Sequence, residues 1–275
     1  MVLQLHNDGS IFQYTGTPFS WQQIDNNPAN IVIFSGNYLL HNDGSIFQYT
    51  GTPFSWQQLD NNPATTAIVA AFGVPGPFIL RNGSGIFQYT GTPFAWQQID
   101  NNPATTALAT SIIGPGFGLY ELHNDGSGIW QFTGALEWQQ IDNNPSTIAI
   151  VAAPLNAGDD AALYQLRNDG GIFQNDVSTP SSGWQRLDIN PANVAIAAGG
   201  ALYQLHNDGS IFQYTGTPLS WQQLDSNPAN VAIAVDESND LYLRHNDGSG
   251  IFQYTGTPFS WQPIDSNPAT TAISG

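Results

Sequence analysis

The side chains of this chain that could do chemistry recur at fixed repeat positions. All five histidines precede Asn-Asp-Gly-Ser, and they are His6, His41, His123, His206 and His245. One aspartate per repeat opens an Asp-Asn-Asn-Pro type of segment further along. A metal or paired-carboxylate site needs several such groups in one cluster, whereas these are spread over successive repeats. The pattern therefore predicts neither a catalytic centre nor a metal site.

Other common reactive arrangements are also missing from the sequence. No serine lies in a nucleophile motif, and no glycine-rich loop has the spacing that cradles phosphate. The chain contains no cysteine, which excludes disulfides and thiolate metal ligands. We therefore expect a binding protein that is not an enzyme and has no cofactor.

Tryptophans mark the repeat. They fall at Trp21, Trp56, Trp96, Trp138, Trp184, Trp221 and Trp261, so their spacings are 35, 40, 42, 46, 37 and 40 residues. A period near 40 with high Gly, Pro, Thr and aromatic content is typical of a four-stranded propeller blade. No repeat has the 3.6-residue apolar period of a helix. The sequence predicts an all-β, seven-bladed β-propeller of four-stranded antiparallel blades.

One repeat shows the strands that build a blade. Leu202–His206 and Ile211–Thr215 flank Asp208-Gly209, which predicts a hairpin with a type I′ turn. Trp221–Asp225 supplies the outer strand, and the run Val231–Val235 predicts a strand buried on both faces that begins the next blade.

The ends of the chain predict how the propeller closes. The first repeat lacks the small apolar strand that opens every later blade, and Ala269–Ser274 matches that strand at the other end of the chain. We expect the N- and C-terminal strands to pair in one blade, so that residues 1–275 form a single domain.

Charge and termini limit partners and location. The net charge is −17 with four basic residues, which predicts no nucleic-acid partner. No apolar run is long enough to span a bilayer, so membrane insertion is not expected. Met1-Val2-Leu3 leads into a strand without a signal peptide, which predicts a cytoplasmic or non-classically secreted protein. Homo-oligomerisation remains open.

Short amides, carboxylates and imidazoles suggest what is bound. Within a blade, the His-Asn-Asp-Gly hairpin and the Asp-Asn-Asn-Pro segment lie at one end, and Thr-Gly-Thr-Pro lies at the other. Each Asp-Asn-Asn-Pro segment crosses to the next blade and meets its hairpin in a groove. Planar amides and carboxylates hydrogen-bond uncharged polyols such as sugars. The sequence therefore predicts sugar sites between blades.

Three consecutive grooves are flanked on both sides by repeats that keep the full sequence pattern. The predicted carbohydrate-binding residues are Asp225, Asn227, His245, Asn246 and Asp247 between blades 6 and 7; Asp265, Asn267, His6, Asn7 and Asp8 between blades 7 and 1; and Asp25, Asn26, Asn27, His41, Asn42 and Asp43 between blades 1 and 2. Blades 3 to 5 depart from the pattern at Gly83, Ala135 and Ile189, so the grooves that they flank should be weaker.

An aromatic platform under the sugar is expected from the outer strands. The tryptophans assigned to this role are Trp21, Trp56, Trp221 and Trp261. The alternative for these rings is packing of one blade against the next.

The repeated LHNDGSIFQYTGTP…WQQLDNNPAT…AIVA resembles the seven-bladed lectins of the Photorhabdus type, the PLL-like proteins. It is more distantly similar to the tachylectin-2 and tectonin propellers. The resemblance covers the whole chain. It implies a protein that binds glycans at several sites between blades and favours fucose or O-methylated sugars.

Other functions remain open at this point. Propeller faces also serve as docking platforms, so a structural or protein-docking propeller is the alternative to a lectin. A defence protein that uses lectin activity for targeting is a further possibility. Repeats this alike are also typical of a recently duplicated or engineered array, although the insertions in blades 3 to 5 argue against full design.

Overall fold

Every element of secondary structure in the described part of the chain is a β-strand. The structure is a computed structural model that describes residues 2–34, 38–70, 76–113, 116–154, 161–177 and 183–274. Its 28 strands form seven four-stranded antiparallel sheets, which confirms the predicted fold class. Among these residues no helix is long and apolar enough to cross a membrane.

The strands follow the repeat. Blade 1 begins with β1 (Leu3–His6), β2 (Ile11–Tyr14) and β3 (Trp21–Asp25). Blade 2 consists of β4 (Asn30–Phe34), β5 (Tyr38–His41), β6 (Ser45–Tyr49) and β7 (Trp56–Asn61). Blade 3 consists of β8 (Thr65–Val69), β9 (Phe78–Arg81), β10 (Gly85–Tyr89) and β11 (Trp96–Gln98). Blade 4 consists of β12 (Thr105–Ile113), β13 (Gly116–His123), β14 (Ile129–Gly134) and β15 (Glu137–Asp142).

The remaining blades have the same order. Blade 5 consists of β16 (Thr147–Pro154), β17 (Ala161–Arg167), β18 (Ile172–Asp176) and β19 (Trp184–Asp188). Blade 6 consists of β20 (Asn193–Ala198), β21 (Leu202–His206), β22 (Ile211–Tyr214) and β23 (Trp221–Asp225). Blade 7 consists of β24 (Asn230–Val235), β25 (Leu241–His245), β26 (Ile251–Tyr254) and β27 (Trp261–Asp265). The last strand is β28 (Thr270–Ser274).

The last strand completes the first blade. The sheet order there is β28-β1-β2-β3, with Leu3 opposite Ser274 and Leu5 opposite Ala272. The predicted pairing of the terminal strands is therefore confirmed.

The blades belong to two compact units. One contains blades 6, 7, 1 and 2, in Met1–Asn61, Ala192–Thr215 and Trp221–Gly275. The other contains blades 3, 4 and 5, in Asn62–Pro191, together with the turn Gly216–Ser220. The assignment of residues 1–275 to a single domain stays a prediction.

Apolar side chains from consecutive blades form the cores of each unit. Leu5 and Ile24 of blade 1 pack in one cluster with Leu39 of blade 2, and each is at most 4% exposed. Trp56 and Tyr49 pack against the same cluster. Burying one such aliphatic side chain contributes about 1.5–3 kcal/mol. Blades 1 and 2 are therefore held together through the faces of their sheets.

The strand predicted to be buried on both faces is partly exposed. In blade 7, Asn230 lies opposite His245 and Ala232 lies opposite Arg244, so Val231 is an extra residue at a β-bulge. The bulge turns its side chain outward, and Val231 is 38% exposed. The prediction was wrong because a short apolar run does not reveal a bulge or a sheet edge.

The hairpin loop also differs from the prediction. In blade 6, His206 N donates to Ser210 O at 2.9 Å and Gly209 N donates to His206 O at 3.1 Å. Gly209 has φ 84°, whereas Asp208 is not among the residues with positive φ. This is a three-residue loop that ends in a left-handed glycine, so the type I′ assignment was wrong. Asp208 caps the loop, since its Oδ1 accepts from Ser210 N at 2.8 Å.

The hairpin needs a glycine for two reasons: the positive φ and the lack of space for a Cβ. A pair of substitutions distinguishes the two effects. Gly9 and Gly16 have φ of 84° and 86°, but a Cβ on Gly9 would lie 2.2 Å from Asn27 O, while one on Gly16 would meet nothing within 4 Å. Gly16→Ala should cost about 1–2 kcal/mol, from φ alone. Gly9→Ala should cost about 2–5 kcal/mol, because overpacking adds to the strain. Urea unfolding of both variants measures the difference, and equal costs would contradict the close packing.

Deleting residues 269–275 should destabilise the protein by at least about 4 kcal/mol. The deletion removes the ladder between β28 and β1, whose hydrogen bonds contribute about 1 kcal/mol each, and it exposes a sheet edge. Thermal unfolding measures the loss. Adding the deleted segment as a peptide should restore part of the stability, because it can pair again with β1. A truncated chain that melts like the parent would refute the role of this pairing.

Candidate functional site

The segment that leaves each outer strand, here called the exit segment (Asp25–Pro28 in blade 1), is fixed by its aspartate. Asn30 Nδ2 donates to Asp25 Oδ2 at 2.6 Å and to Gly9 O at 2.9 Å. Asp25 is only 9% exposed and Asn30 is 5% exposed. The Asn30 amide, on the first strand of the next blade, therefore binds both the carboxylate of the exit segment and the hairpin of the preceding blade.

The same bonds recur between blades 6 and 7. Asn230 Nδ2 donates to Asp225 Oδ2 at 2.7 Å and to Gly209 O at 2.9 Å. Between blades 7 and 1 the bonds differ, because Thr270 replaces the asparagine and its Oγ1 donates to Gln4 Oε1 at 2.9 Å, while Asp265 Oδ2 accepts from Asn267 N at 3.0 Å. The three exit aspartates thus have a structural bond whether or not they also contact a ligand.

The predicted partners across each groove do lie together. Asn42 N donates to Ala29 O at 2.8 Å, and Asn246 N donates to Ala229 O at 2.9 Å. Between blades 7 and 1 the same bond, from Asn7 N to Ala269 O, measures 2.9 Å. In all three grooves the hairpin of one blade is therefore bonded to the residue that directly follows the exit segment of the preceding blade.

Exposure divides the predicted polar residues into two groups. The exposed ones are Asn7, Asp8, Asn26, Asn27, Asn42, Asp43, Asn246 and Asp247. Asn227 and Asn267 are half-buried, and their Oδ1 atoms accept from Ala229 N and Ala269 N at 3.0 and 2.9 Å. The exposed amides are the groups available to a solute.

The loop aspartates are held as carboxylates. Ser10 N donates to Asp8 Oδ1 at 2.8 Å, and this backbone bond is the main reason why the pKa of Asp8 is lowered. The Ser45 backbone lowers the pKa of Asp43 in the same way. These side chains bring fixed negative charge to the rim of the grooves.

The histidines are packed inside the hairpins. His6, His41 and His245 are at most 9% exposed, and each ring lies within 4.5 Å, between centroids, of the phenylalanine on the following strand. His245 Nε2 lies 3.5 Å from Asn227 Nδ2 across its groove. Burial lowers the pKa of all three histidines, and the nearby aspartates only partly offset this effect. These imidazole rings are therefore uncharged at neutral pH and are packed at the base of the grooves.

Stability should decrease as the pH falls through 6.5. The unfolded histidines take up protons near their ordinary pKa of 6.5, whereas the folded state keeps them neutral to lower pH. Stability is therefore complete above pH 6.5 and is lost as the pH falls toward the folded pKa values. Urea midpoints at pH 7.5 and 5.5 should differ, and His41→Gln should reduce the difference. A midpoint that does not change with pH would contradict the burial effect.

The four predicted tryptophan platforms are half-buried, and the indole N–H groups of Trp21, Trp56 and Trp261 are bonded to the preceding blade. Trp21 Nε1 donates to Ile264 O at 2.9 Å, Trp56 Nε1 to Ile24 O at 3.2 Å, and Trp261 Nε1 to Leu224 O at 3.3 Å. Each ring also contacts a tyrosine of its own blade, such as Tyr14 for Trp21 at 5.1 Å between centroids. Trp221 likewise contacts Tyr214, at 5.3 Å.

Within its blade the tryptophan lies far from the hairpin. Tyr14 pairs with Trp21, and Ile11 at the other end of the same strand pairs with Asp25. The structure therefore does not bring the four predicted tryptophans to the hairpin of their own blade. It supports the packing alternative for these rings.

The most exposed aromatic side chains were missed by the sequence analysis. Phe19, Phe54 and Phe259, which belong to the turns at the three predicted grooves, follow the proline of Thr-Gly-Thr-Pro, are 60%, 54% and 59% exposed, and have φ of 60°, 62° and 62°. Phe94, in the same turn of blade 3, is 55% exposed and has φ of 65°. The signal was present, because a bulky apolar residue follows the turn proline in repeat after repeat. The sequence analysis assigned it no role, because the turn was predicted to lie at the end of the blade opposite the hairpin and therefore away from the site.

These phenylalanines lie against the preceding blade. Phe54 N donates to Ile24 O at 2.8 Å, and Phe259 N donates to Leu224 O at 2.8 Å. Thr-Gly-Thr-Pro lies at the end of its own blade opposite the hairpin, as predicted. Between neighbouring blades, however, the turn meets the strand end that carries the exit segment.

The corresponding place in the second unit is a cleft. It has a volume of about 270 Å³ and is lined by Gln98, Ile99, Asp100, Asn101 and Leu136. Leu136 occupies the repeat position of Phe54, and Asn101 that of Asn26. An inter-blade groove therefore combines an apolar side chain on the turn with amides on the exit segment.

The groove offers hydrogen bonds and an apolar surface. Among the residues that the structure describes, no group of three or more His, Cys, Asp or Glu side chains has the geometry of a metal site. Exposed amides donate and accept hydrogen bonds in pairs. The arrangement suits a small polar ligand that has one apolar face.

Comparison with known proteins identifies the fold class. No protein-family model and no curated protein matches the chain. Solved structures do match. A structure described as YCF48 bound to D1 peptide is 14% identical with a TM-score of 0.67, covering 93% of this chain and 89% of that one. YCF48 from Cyanidioschyzon merolae is 12% identical with a TM-score of 0.61, covering 91% and 92%.

An enzyme is also among the similar structures. A catalytically inactive virginiamycin B lyase from Staphylococcus aureus, with quinupristin, is 16% identical with a TM-score of 0.57, covering 98% of this chain and 86% of that one. At such identities the likeness concerns the fold alone. The chain is a seven-bladed β-propeller, a class with varied functions, and the resemblance to PLL-like lectins stays a prediction.

Proposed function

We propose that this chain is a multivalent carbohydrate-binding protein that recognises neutral sugars, such as fucose or O-methylated glycans, in grooves between blades. The observation that carries the proposal is the repetition of one groove, in which exposed amides lie on the exit segment next to an exposed aromatic ring of the following blade. Sugars need both kinds of contact, because their hydroxyls bind planar polar groups and their C–H faces bind apolar surfaces.

Charge favours a neutral ligand. The chain has a net charge of −17, and the hairpins add Asp8, Asp43 and Asp247 at the rim of the three grooves. A sialylated or sulfated glycan would be repelled at this surface. Binding rather than catalysis fits the repeated arrangement, since an enzyme needs one asymmetric set of groups.

Several sites on one chain provide strength that a single site lacks. Single sugar sites of this open type are weak, and linking them on one scaffold raises the overall affinity for a glycosylated surface without any new contact. The proposed ligand is therefore a surface that displays many copies of a sugar.

A glycan array followed by calorimetry with the best free sugar tests the proposal. We expect binding to neutral fucosylated or O-methylated glycans, with an affinity that changes little between 50 and about 300 mM salt, because no counterions are released. Asn26→Ala should lower the number of bound sugars by one, since Asn26 lies in the groove between blades 1 and 2. The matched variant Asn101→Ala, in the groove with Leu136, should leave the number unchanged.

Two results would reject this function. One is the absence of binding to any glycan. The other is capture of a protein or peptide with no sugar dependence, which would favour the docking alternative; YCF48, a similar propeller, was solved with a peptide bound.

A further inference from the structure

The turn phenylalanines adopt a backbone conformation that bulky residues avoid. Phe19, Phe54, Phe94 and Phe259 have φ between 60° and 65°. In the left-handed region Cβ approaches the following carbonyl oxygen, so glycine and asparagine are the usual occupants. Strain of this kind at repeated, exposed positions is a recognised sign of function.

The fold itself does not require a phenylalanine there. The backbone N–H of Phe54 makes the bond to the preceding blade, and glycine would present the same N–H. The side chain is 54% exposed, so burial offers little compensation for the strain. Neither the hydrogen bond nor packing explains the choice of residue.

The position of the ring does suggest a role. Phe54 N is bonded to Ile24 O, which places the turn beside Gln23 and Asn26 on the same strand end. The equivalent residues Gln98, Asn101 and Leu136 line one cleft in the second unit. A solute in this groove therefore has amides on one side and the turn side chain on the other.

We infer that Phe19, Phe54 and Phe259 are the aromatic platforms on which the sugar rings stack, and that they determine which grooves bind sugar. This inference rests on the proposed function. A flat aromatic ring attracts the C–H face of a pyranose. The tryptophans, with their indole N–H groups bonded to the preceding blade, hold the groove in shape instead.

Leucine at the same position provides a comparison within the chain. Leu136 and Leu219 have φ of 65° and 63° and are each 55% exposed, so the φ and the exposure of this one residue match those of the phenylalanines, although Ala135 beside Leu136 also has a positive φ of 51°. A leucine offers apolar contact but no aromatic face. The groove that Leu136 borders is therefore a weak one.

Substitution with glycine separates the ligand contact from any structural role. In Phe54→Gly the strain is relieved, so the melting temperature should stay within about 2 °C of the parent or rise. The number of sugars bound in calorimetry should nevertheless fall by one. Phe54→Leu should weaken that groove about tenfold, which corresponds to the loss of a stacking contact of about 1–1.5 kcal/mol.

The reverse substitution should create a site. Leu136→Phe adds an aromatic ring to a cleft that already has Gln98 and Asn101, so the number of bound sugars should rise by one. Because this variant gains binding, a folding defect cannot imitate the expected result.

The outcomes are distinguishable from those for the proposed function. If the parent binds sugar and the triple variant with glycine at positions 19, 54 and 259 binds it with the same stoichiometry and affinity, the phenylalanines are not the platforms, and the proposed function stands. If the parent binds no glycan, both proposals fail. A triple variant that melts well below the parent would show that the phenylalanines serve the fold, which also overturns the inference.

Discussion

The outer strands of blades 6, 7 and 1 each position the following blade through one main-chain carbonyl. Ile24 O accepts from Phe54 N at 2.8 Å and from Trp56 Nε1 at 3.2 Å, and Ile264 O accepts from Phe19 N and Trp21 Nε1, both at 2.9 Å. A carbonyl oxygen has two lone pairs, so one acceptor satisfies two donors of the neighbouring blade. This pair of bonds fixes both the turn and the outer strand, and therefore the width of the groove between them.

The second connection between blades lies at the other end of the exit segment. There the Asp25–Asn30 bond and the Asn42 N to Ala29 O bond hold the chain as it crosses between blades 1 and 2. The exit segment is thus bonded on both sides of Asn26, which itself remains exposed. Because the residues on both sides of Asn26 are held by hydrogen bonds, less conformational entropy of the protein would be lost when a ligand binds there.

Much of the fold was predictable because its signals are local. Trp221–Asp225 was located to the residue, and the pairing of β28 with β1 followed from a missing strand at one end of the chain and an extra one at the other. The turn type was not predictable, because Asp-Gly suits both a two-residue and a three-residue loop. The register alone distinguishes these loops.

The candidate site was only partly predictable, for a related reason. The meeting of the exit segment with the next hairpin followed from chain connectivity. The roles of Trp56 and Phe54 did not, because both depend on where the neighbouring blade presents Ile24 O. Sequence periodicity predicts the strands of a single blade. The exposure of side chains such as Trp56 and Phe54 depends instead on how two neighbouring blades pack.

The pairing of the terminal strands has a mechanical consequence. Leu3 lies directly opposite Ser274, so the chain enters β1 and leaves β28 at the same end of an antiparallel ladder. A force that separates the two strands at this end would load the hydrogen bonds of β1 and β28 one after another, like a zipper, rather than all at once. A chain that is pulled by a tether on each terminus would open at blade 1 under low force, while a load applied through ligands bound in the grooves would pass through the packed faces of the blades.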